Sequence, residues 1–221
     1  MMSIPARAYL DLLIPSSSRD FETGWTLADI AYANELSRMA KEKSPDKFNN
    51  SKPLHAAVVM ENIYRSTRER ANGRPATIRL YASTLNGEIS RFGNYRSELL
   101  AFLQADNTHI KVIIDTEPER PGSFDNAFEI ISTYAEHFPE KAQIKAVQAT
   151  DNLRQFLYDQ LQQKDVHFAV SSEQMYRLEL DAALHFAECC FFQPEKSKEL
   201  IAVFDKMFDP ANGMVKPLQP F

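Results

Sequence analysis

The sequence predicts an α/β fold: a mixed, largely parallel sheet flanked by helices, with an N-terminal helical extension. Two observations carry this. After Gly73-Arg74-Pro75, short β-branched runs alternate with amphipathic segments of helical period, the pattern of strand–helix units. Before that point, apolar residues recur only at helical spacing. With 44% hydrophobic and 11% aromatic residues among 221, the chain can bury a sizeable core. The reading divides it into an arm and helical extension over 1–74 and an α/β domain over 75–221.

The arm, Met1 to Pro15, holds the apolar piece Tyr9-Leu10-Asp11-Leu12-Leu13-Ile14. Asp11 interrupts it and no small-residue cleavage site follows, so it reads as a packing arm rather than a signal peptide. Trp25, near Phe21, reads as a staple for the first helix. Thr26-Leu27-Ala28-Asp29 matches a capping box with Asp in place of Glu, and Ile30, Ala31, Ala33, Leu36 and Met39 then recur at helical spacing to about Lys43. Ser44-Pro45-Asp46 ends that helix and Asn49-Asn50-Ser51 reads as a polar link. A second helix follows, with Ser51 as its cap, Pro53 in its first turn and Gly73 just beyond its end. Leu54, Ala57, Val58, Ile63 and Tyr64 form its apolar face. Its last turns carry Arg65, Arg68 and Arg70, cations that suit the negative end of a helix dipole.

In the second region, Thr77 to Ala82, Ile110 to Ile114 and Gln143 to Ala149 read as strands rich in β-branched residues. Helices are expected between them, over Asn94 to Ala105 and from about Ser123 to His137, and a third begins at Asp151. Val166 to Ser171 and Met175 to Leu180 read as paired strands about the turn Ser172-Glu173-Gln174. Leu184, Phe186 and the aromatics beyond them suggest a further strand. Lys196 to Phe208 is amphipathic, and Val215 to Phe221 reads as an apolar, proline-spaced tail that packs on the domain or on a partner.

Composition narrows the function classes. A formal net charge of -5 argues against a surface devoted to phosphate backbones, though Arg65, Arg68, Arg70 and Arg74 leave a local nucleic-acid contact open. No apolar run approaches the roughly 20 residues of a membrane span. With six glycines there is no phosphate-cradling loop, and no metal-ligand spacing occurs, so no cofactor is expected. Cys189 and Cys190 are adjacent, a spacing that strains a disulfide, and read as buried free thiols of a reducing cytoplasm.

The polar candidates converge on the later strands. Arg177 and Glu179 lie two residues apart and so face the same side of one strand. They are placed to pair with each other or to form a polar pocket with His167 and Tyr81. Asp115 and Glu117 follow a strand at the end where open α/β sheets collect ligands. Gly122-Ser123-Phe124-Asp125-Asn126 reads as a helix start with Ser123 or Asp125 as cap. The spacing of His185 from Asp181 implies nothing firm.

From residue 77 to residue 208 the order of elements resembles one phospholipase D-like half-domain. Three pieces carry the resemblance. They are Ile78-Arg79-Leu80-Tyr81-Ala82 with Arg96 to Leu103 and Ile110 to Ile114, then Val166-His167-Phe168-Ala169-Val170 with Tyr176 to Glu179, and the closing segment Ser197 to Asp205. That family's signature is His-x-Lys-x-x-x-x-Asp. Here His167 holds the first place, Ala169 stands where the lysine belongs and Gln174 where the aspartate belongs. No Gly-Ser-x-Asn follows downstream. The resemblance therefore implies a degenerate site on a binding or regulatory component that assembles with itself or with another protein. It also implies a setting as an accessory subunit beside bacterial nucleic-acid-processing enzymes, antiviral defence included. The alternative it implies is a divergent phosphodiesterase or nuclease, active as a dimer that pairs two copies of His167.

Overall fold

A computed structural model describes residues 25–85, 87–116, 126–163, 165–181, 184 and 186–218. Its strands are β1 (Phe48–Asn50), β2 (Ala76–Ala82), β3 (Thr108–Ile114), β4 (Ala142–Val147), β5 (His167–Ser171), β6 (Tyr176–Asp181), β7 (Phe186–Cys190) and β8 (Val215–Pro217). The helices are α1 (Leu27–Glu42), α2 (Pro53–Ala71), α3 (Gly93–Gln104), α4 (Ala127–His137), α5 (Thr150–Leu161) and α6 (Pro194–Phe208). All eight strands join one sheet in the order β1-β7-β6-β5-β2-β3-β4-β8.

The fold is α/β with a mixed sheet between helices, as the alternating pattern predicts. The sheet is mostly antiparallel, however, which corrects the expectation of a largely parallel one. Only β2–β3 and β3–β4 run parallel; every other neighbouring pair is antiparallel. Connection length is the reason. The β2–β3 and β3–β4 links each hold a crossover helix, whereas Ser172-Glu173-Gln174-Met175 is long enough only for a hairpin. Gln174 sits in that turn at φ 68°, the left-handed region.

Alternation along the strands sorts the core into two faces. Ile78, Leu80, Ile110, Val112, Ile144 and Ala169 point to one side, where they pack with α1, α2, α3 and α4. Tyr81, Ile113, Phe168, Val170 and Leu178 point to the other, against α5 and α6. Each helix buries the stripe its periodicity marks: Leu99, Phe102 and Leu103 on α3, and Leu200, Phe204 and Met207 on α6. At about 25 cal/mol per Å² of apolar surface removed from water, these aromatic-rich stripes dominate the folding energy.

The helices expected before residue 74 form, but they share the sheet and core of the rest. Asn49 and Asn50, read as part of a polar link, join Phe48 as the edge strand β1 and pair with Cys189, Glu188 and Ala187. The predicted capping box at α1 is present, Thr26 and Asp29 each accepting the other's backbone N–H. Trp25 packs on the core. On α2 the cap position falls to Lys52, with no side-chain cap, because Pro53 starts the helix one residue after it; Ser51 is not the cap. Asn72 closes α2 in the left-handed conformation, ahead of Gly73. Asn126 caps α4, its side chain accepting the Glu129 N–H, so that helix begins later than Ser123. The further strand expected after Leu184 is β7, and the tail's Val215–Pro217 pairs with β4 as β8. The arm, Phe21, Glu117, Ser123, Asp125, His185 and the last three tail residues lie outside the described residues.

Among the described residues, no helix is long and apolar enough to cross a membrane. Cys189 and Cys190 are free and buried, and burial pushes the Cys189 thiol up to about 12, far from a reactive thiolate.

Candidate functional site

β2 has β3 on one side and β5 on the other. The crossover helix α3 packs on one face of the sheet and α5 on the opposite face. The chain thus reverses its direction of winding at β2, and open sheets leave a crevice beyond the strand ends at such a point. A cavity of about 230 Å³ lies there. Its walls come from Leu80 and the segment after β2, from Met60 on α2 and Tyr95 on α3, and from His167, Ala169, Arg177 and Glu179 on the antiparallel strands.

Strand register brings the polar residues together. His167 is directly opposite Glu179, and Ala169 directly opposite Arg177. Ala169 is also opposite Leu80 on its other side. Its methyl group is thus the low point between two larger neighbours, and that is where the cavity opens.

At the polar end, His167 Nε2 lies 2.8 Å from Asp115 Oδ2, and Nδ1 lies 3.6 Å from Glu179 Oε2. Tyr81 donates its hydroxyl to Asp115 Oδ1 at 2.6 Å. Arg177 donates through Nη2 to Glu179 Oε1 at 2.7 Å and through Nε to Asn50 Oδ1 at 3.2 Å. The chain of contacts runs Asn50–Arg177–Glu179–His167–Asp115–Tyr81 and draws on β1, β6, β5, β2 and the end of β3. Both sequence alternatives for Arg177 and Glu179 hold at once: they pair with each other, and they share a pocket with His167. Tyr81 lines it too, as expected.

The cluster is ionic and balanced. Burial works to lower the His167 pKa, but its contacts with Asp115 and Glu179 outweigh that and raise it to about 9. Burial likewise works to raise Glu179, yet His167 and Arg177 hold it down at about 2. Near neutral pH the imidazolium and guanidinium therefore face two carboxylates. Burial, followed by the Asp115 charge, keeps the Tyr81 phenol far above its ordinary range. As an imidazolium, His167 carries a proton on both ring nitrogens and has no lone pair for attack.

Arg65, Arg68 and Arg70 on α2 and Arg74 just beyond it do not form an open basic patch. Arg65 binds Glu61 and Glu98, and Arg68 lies 3.2 Å from Glu98. Arg70 donates to the carbonyls of Ala40, Glu173 and Phe191, tying the end of α1 to the β5–β6 turn and to the end of β7. Arg74 is the most exposed of the four and lies 3.8 Å from Glu173. Arg65, Arg68 and Arg70, the arginines singled out for binding, are each paired within the fold, because α3 and the β5–β6 turn bring carboxylates and carbonyls within reach.

Sequence reasoning missed Asn50, Met60, Tyr95 and the segment from Ser83 to Ser90. Asn50 and Tyr95 carried no local signal, since each meets its partner only through tertiary pairing. Among the described residues, no group of three or more His, Cys, Asp or Glu side chains is arranged to hold a metal ion.

No family model matches the chain, and neither a curated protein nor a solved structure matches it.

Proposed function

We propose that this chain is a non-catalytic binding component whose ligand pocket occupies the crevice beside His167. The observation that supports this most directly is that both ring nitrogens of His167 face a carboxylate, Nε2 at 2.8 Å from Asp115 Oδ2 and Nδ1 at 3.6 Å from Glu179 Oε2. Phosphoryl transfer needs a nucleophile with a free lone pair and cations aimed at the phosphoryl oxygens. Both ring nitrogens of His167 are turned to carboxylates, Ala169 supplies no ammonium, and the Arg177 guanidinium is engaged by Glu179 and Asn50. The resemblance to a degenerate phospholipase D-like half-domain agrees with this reading. It favours an accessory role beside a bacterial nucleic-acid-processing or defence enzyme, with a second copy or another protein as partner.

A divergent phosphodiesterase has one feature in its favour: His167 borders a cavity and is oriented by a carboxylate, as a general base would be. Assays of a chromogenic phosphodiester and of labelled DNA and RNA separate the two. The binding reading expects no turnover above buffer, and none altered in His167→Ala. Turnover that His167→Ala abolishes, with the fold intact by circular dichroism, overturns it.

A further inference from the structure

Within the cavity one carboxylate oxygen is left without a donor. Glu179 gives Oε1 to Arg177 Nη2 at 2.7 Å, but its Oε2 comes only to 3.6 Å from His167 Nδ1, too long for a hydrogen bond. If Nδ1 carries no proton, Oε2 faces no donor there at all. The Glu179 side chain is 11% exposed, so an unused acceptor sits where water has little access. A second lining carboxylate, Glu88, is exposed at the rim and has no ion-pair partner among the described residues. Arg177, by contrast, is engaged through Nε and Nη2 by Asn50 and Glu179. Asp115, Glu179 and Glu88 thus stand against one guanidinium, or against a guanidinium and an imidazolium. The sum is negative in either state of His167, and what is open to a ligand is carboxylate.

The remaining walls are carbon: Met60, Leu80, Ile89, the Tyr95 ring and the Ala169 methyl. Ser83, Gly87 and Glu88 are exposed, so the cavity opens to solvent on their side and admits a group reaching in from a larger body. A charged tip on a flexible apolar stem suits such a site, since the stem packs on carbon while the tip keeps polar company. An ammonium brings three donors and no acceptor. One unused oxygen calls for that point donor rather than for the planar fork of a guanidinium.

We propose that the cavity beside Ala169 binds a primary ammonium on an unbranched alkyl chain, the ammonium donating to Glu179 Oε2, the chain against Met60, Leu80 and Tyr95, and Glu88 adding attraction at the rim. This rests on the reading of the crevice as a binding pocket, and it names the chemistry of what enters. The same group is carried by a free alkylamine and by a lysine side chain of a partner protein.

Four probes test it by chemical-shift perturbation of the full-length protein. Butylammonium stands for the free amine and Nα-acetyl-lysine N-methylamide for the side chain, with butanol and butyrate as neutral and anionic controls. The amines are expected to shift resonances of Met60, Ala169 and Tyr95, and both controls to bind about tenfold more weakly or worse. Glu179→Gln should weaken the amines by about tenfold. Glu88→Gln, at an exposed rim position, should weaken them by about threefold and guards against a folding defect in the first variant. Butanol binding as tightly as butylammonium overturns the ammonium, and failure of both amines overturns the site. Amine affinity unchanged in both variants overturns the placement at the carboxylates. Tighter binding of the lysine derivative assigns the site to a partner's side chain, and tighter binding of butylammonium assigns it to a small molecule; either result supports the shared chemistry. Phosphodiester turnover abolished by His167→Ala would overturn the non-catalytic reading without altering amine binding, so the two failures are distinguishable.

Discussion

Ala169 and Arg177 stand directly opposite each other across the β5–β6 ladder, the strand's smallest side chain facing a buried guanidinium. This pairing opens the cavity at Ala169 and sets the Arg177 guanidinium in its wall. Ala169→Lys tests the relationship. The new side chain would enter the cavity and bring its ammonium beside Arg177, a like charge directly opposite on the neighbouring strand. Like charges so placed destabilise a sheet by up to about 1 kcal/mol. A stability in urea lowered by about that amount is expected, with no gain of phosphodiester hydrolysis. An unchanged midpoint would show that the cavity absorbs the lysine freely.

Arg70 joins three parts of the fold through backbone carbonyls: Ala40 at the end of α1, Glu173 in the β5–β6 turn and Phe191 after β7. Removing the guanidinium leaves those acceptors to find other donors. Each buried acceptor left unsatisfied costs about 1–3 kcal/mol. Arg70→Ala should therefore lower stability by about 2–3 kcal/mol in chemical denaturation. Retention on an immobilised polyanion at low salt should not change. Lost retention with undiminished stability would restore Arg70 as a nucleic-acid contact.

On the opposite face, Arg79 on β2 grips Asp205 on α6 with two bonds, Nε to Oδ1 at 2.8 Å and Nη2 to Oδ2 at 2.9 Å. The forked geometry is the strong form of a charge-assisted pair. Asp205 is 43% exposed, however, so solvent screening reduces its worth. A double-mutant cycle with Arg79→Ala and Asp205→Ala should give a coupling of about 1 kcal/mol, reduced by added salt. A coupling that is zero at low salt would show that α6 is held by its apolar stripe, Leu200, Val203, Phe204, Met207 and Phe208, without help from this pair.

How far the sequence was legible follows from the range of each interaction. The capping box of α1, the strands β2 and β3 and the amphipathic α6 rest on contacts within a few residues, and all lie where the pattern places them. The pairing of Arg177 with Glu179 was legible because two residues on one strand face need no knowledge of the fold. β1 and β8 were not read as strands. Each is a three-residue edge segment whose backbone bonds depend on a partner far away in sequence, Cys189 for Phe48 and Lys145 for Pro217. The sheet's sense was misjudged for the same reason, since β5 returns to β2 only after α5 crosses the opposite face. The sequence assigns the α2 arginines to the helix dipole and does not show their partner Glu98, because it lies on another element.

The ionic cluster makes stability depend on pH in a defined direction. His167 binds its proton more tightly folded, at about 9, than its ordinary 6.5. That contribution is fully present below pH 6.5 and is lost as pH rises through 9. At 1.36 kcal/mol per pH unit of difference, the loss amounts to about 3 kcal/mol. Glu179 has the opposite sign: held at about 2 against an ordinary 4.5, it contributes above pH 4.5 and loses that contribution as pH falls toward 2. The two share one contact, so their losses are not additive. The groups facing His167 are Asp115, Glu179 and, through its ring, Tyr81, with Arg177 beyond Glu179. Urea midpoints should therefore be highest between about pH 5 and pH 6.5 and fall on both sides. His167→Gln should be less stable at pH 6 and should flatten the alkaline side, because glutamine has no proton to lose. A midpoint that holds steady from pH 6 to pH 9.5 in the parent chain, or that falls as steeply in the glutamine variant, would mean the imidazole is not charged in the folded protein. His167 would then keep a lone pair on one ring nitrogen, as a nucleophile requires.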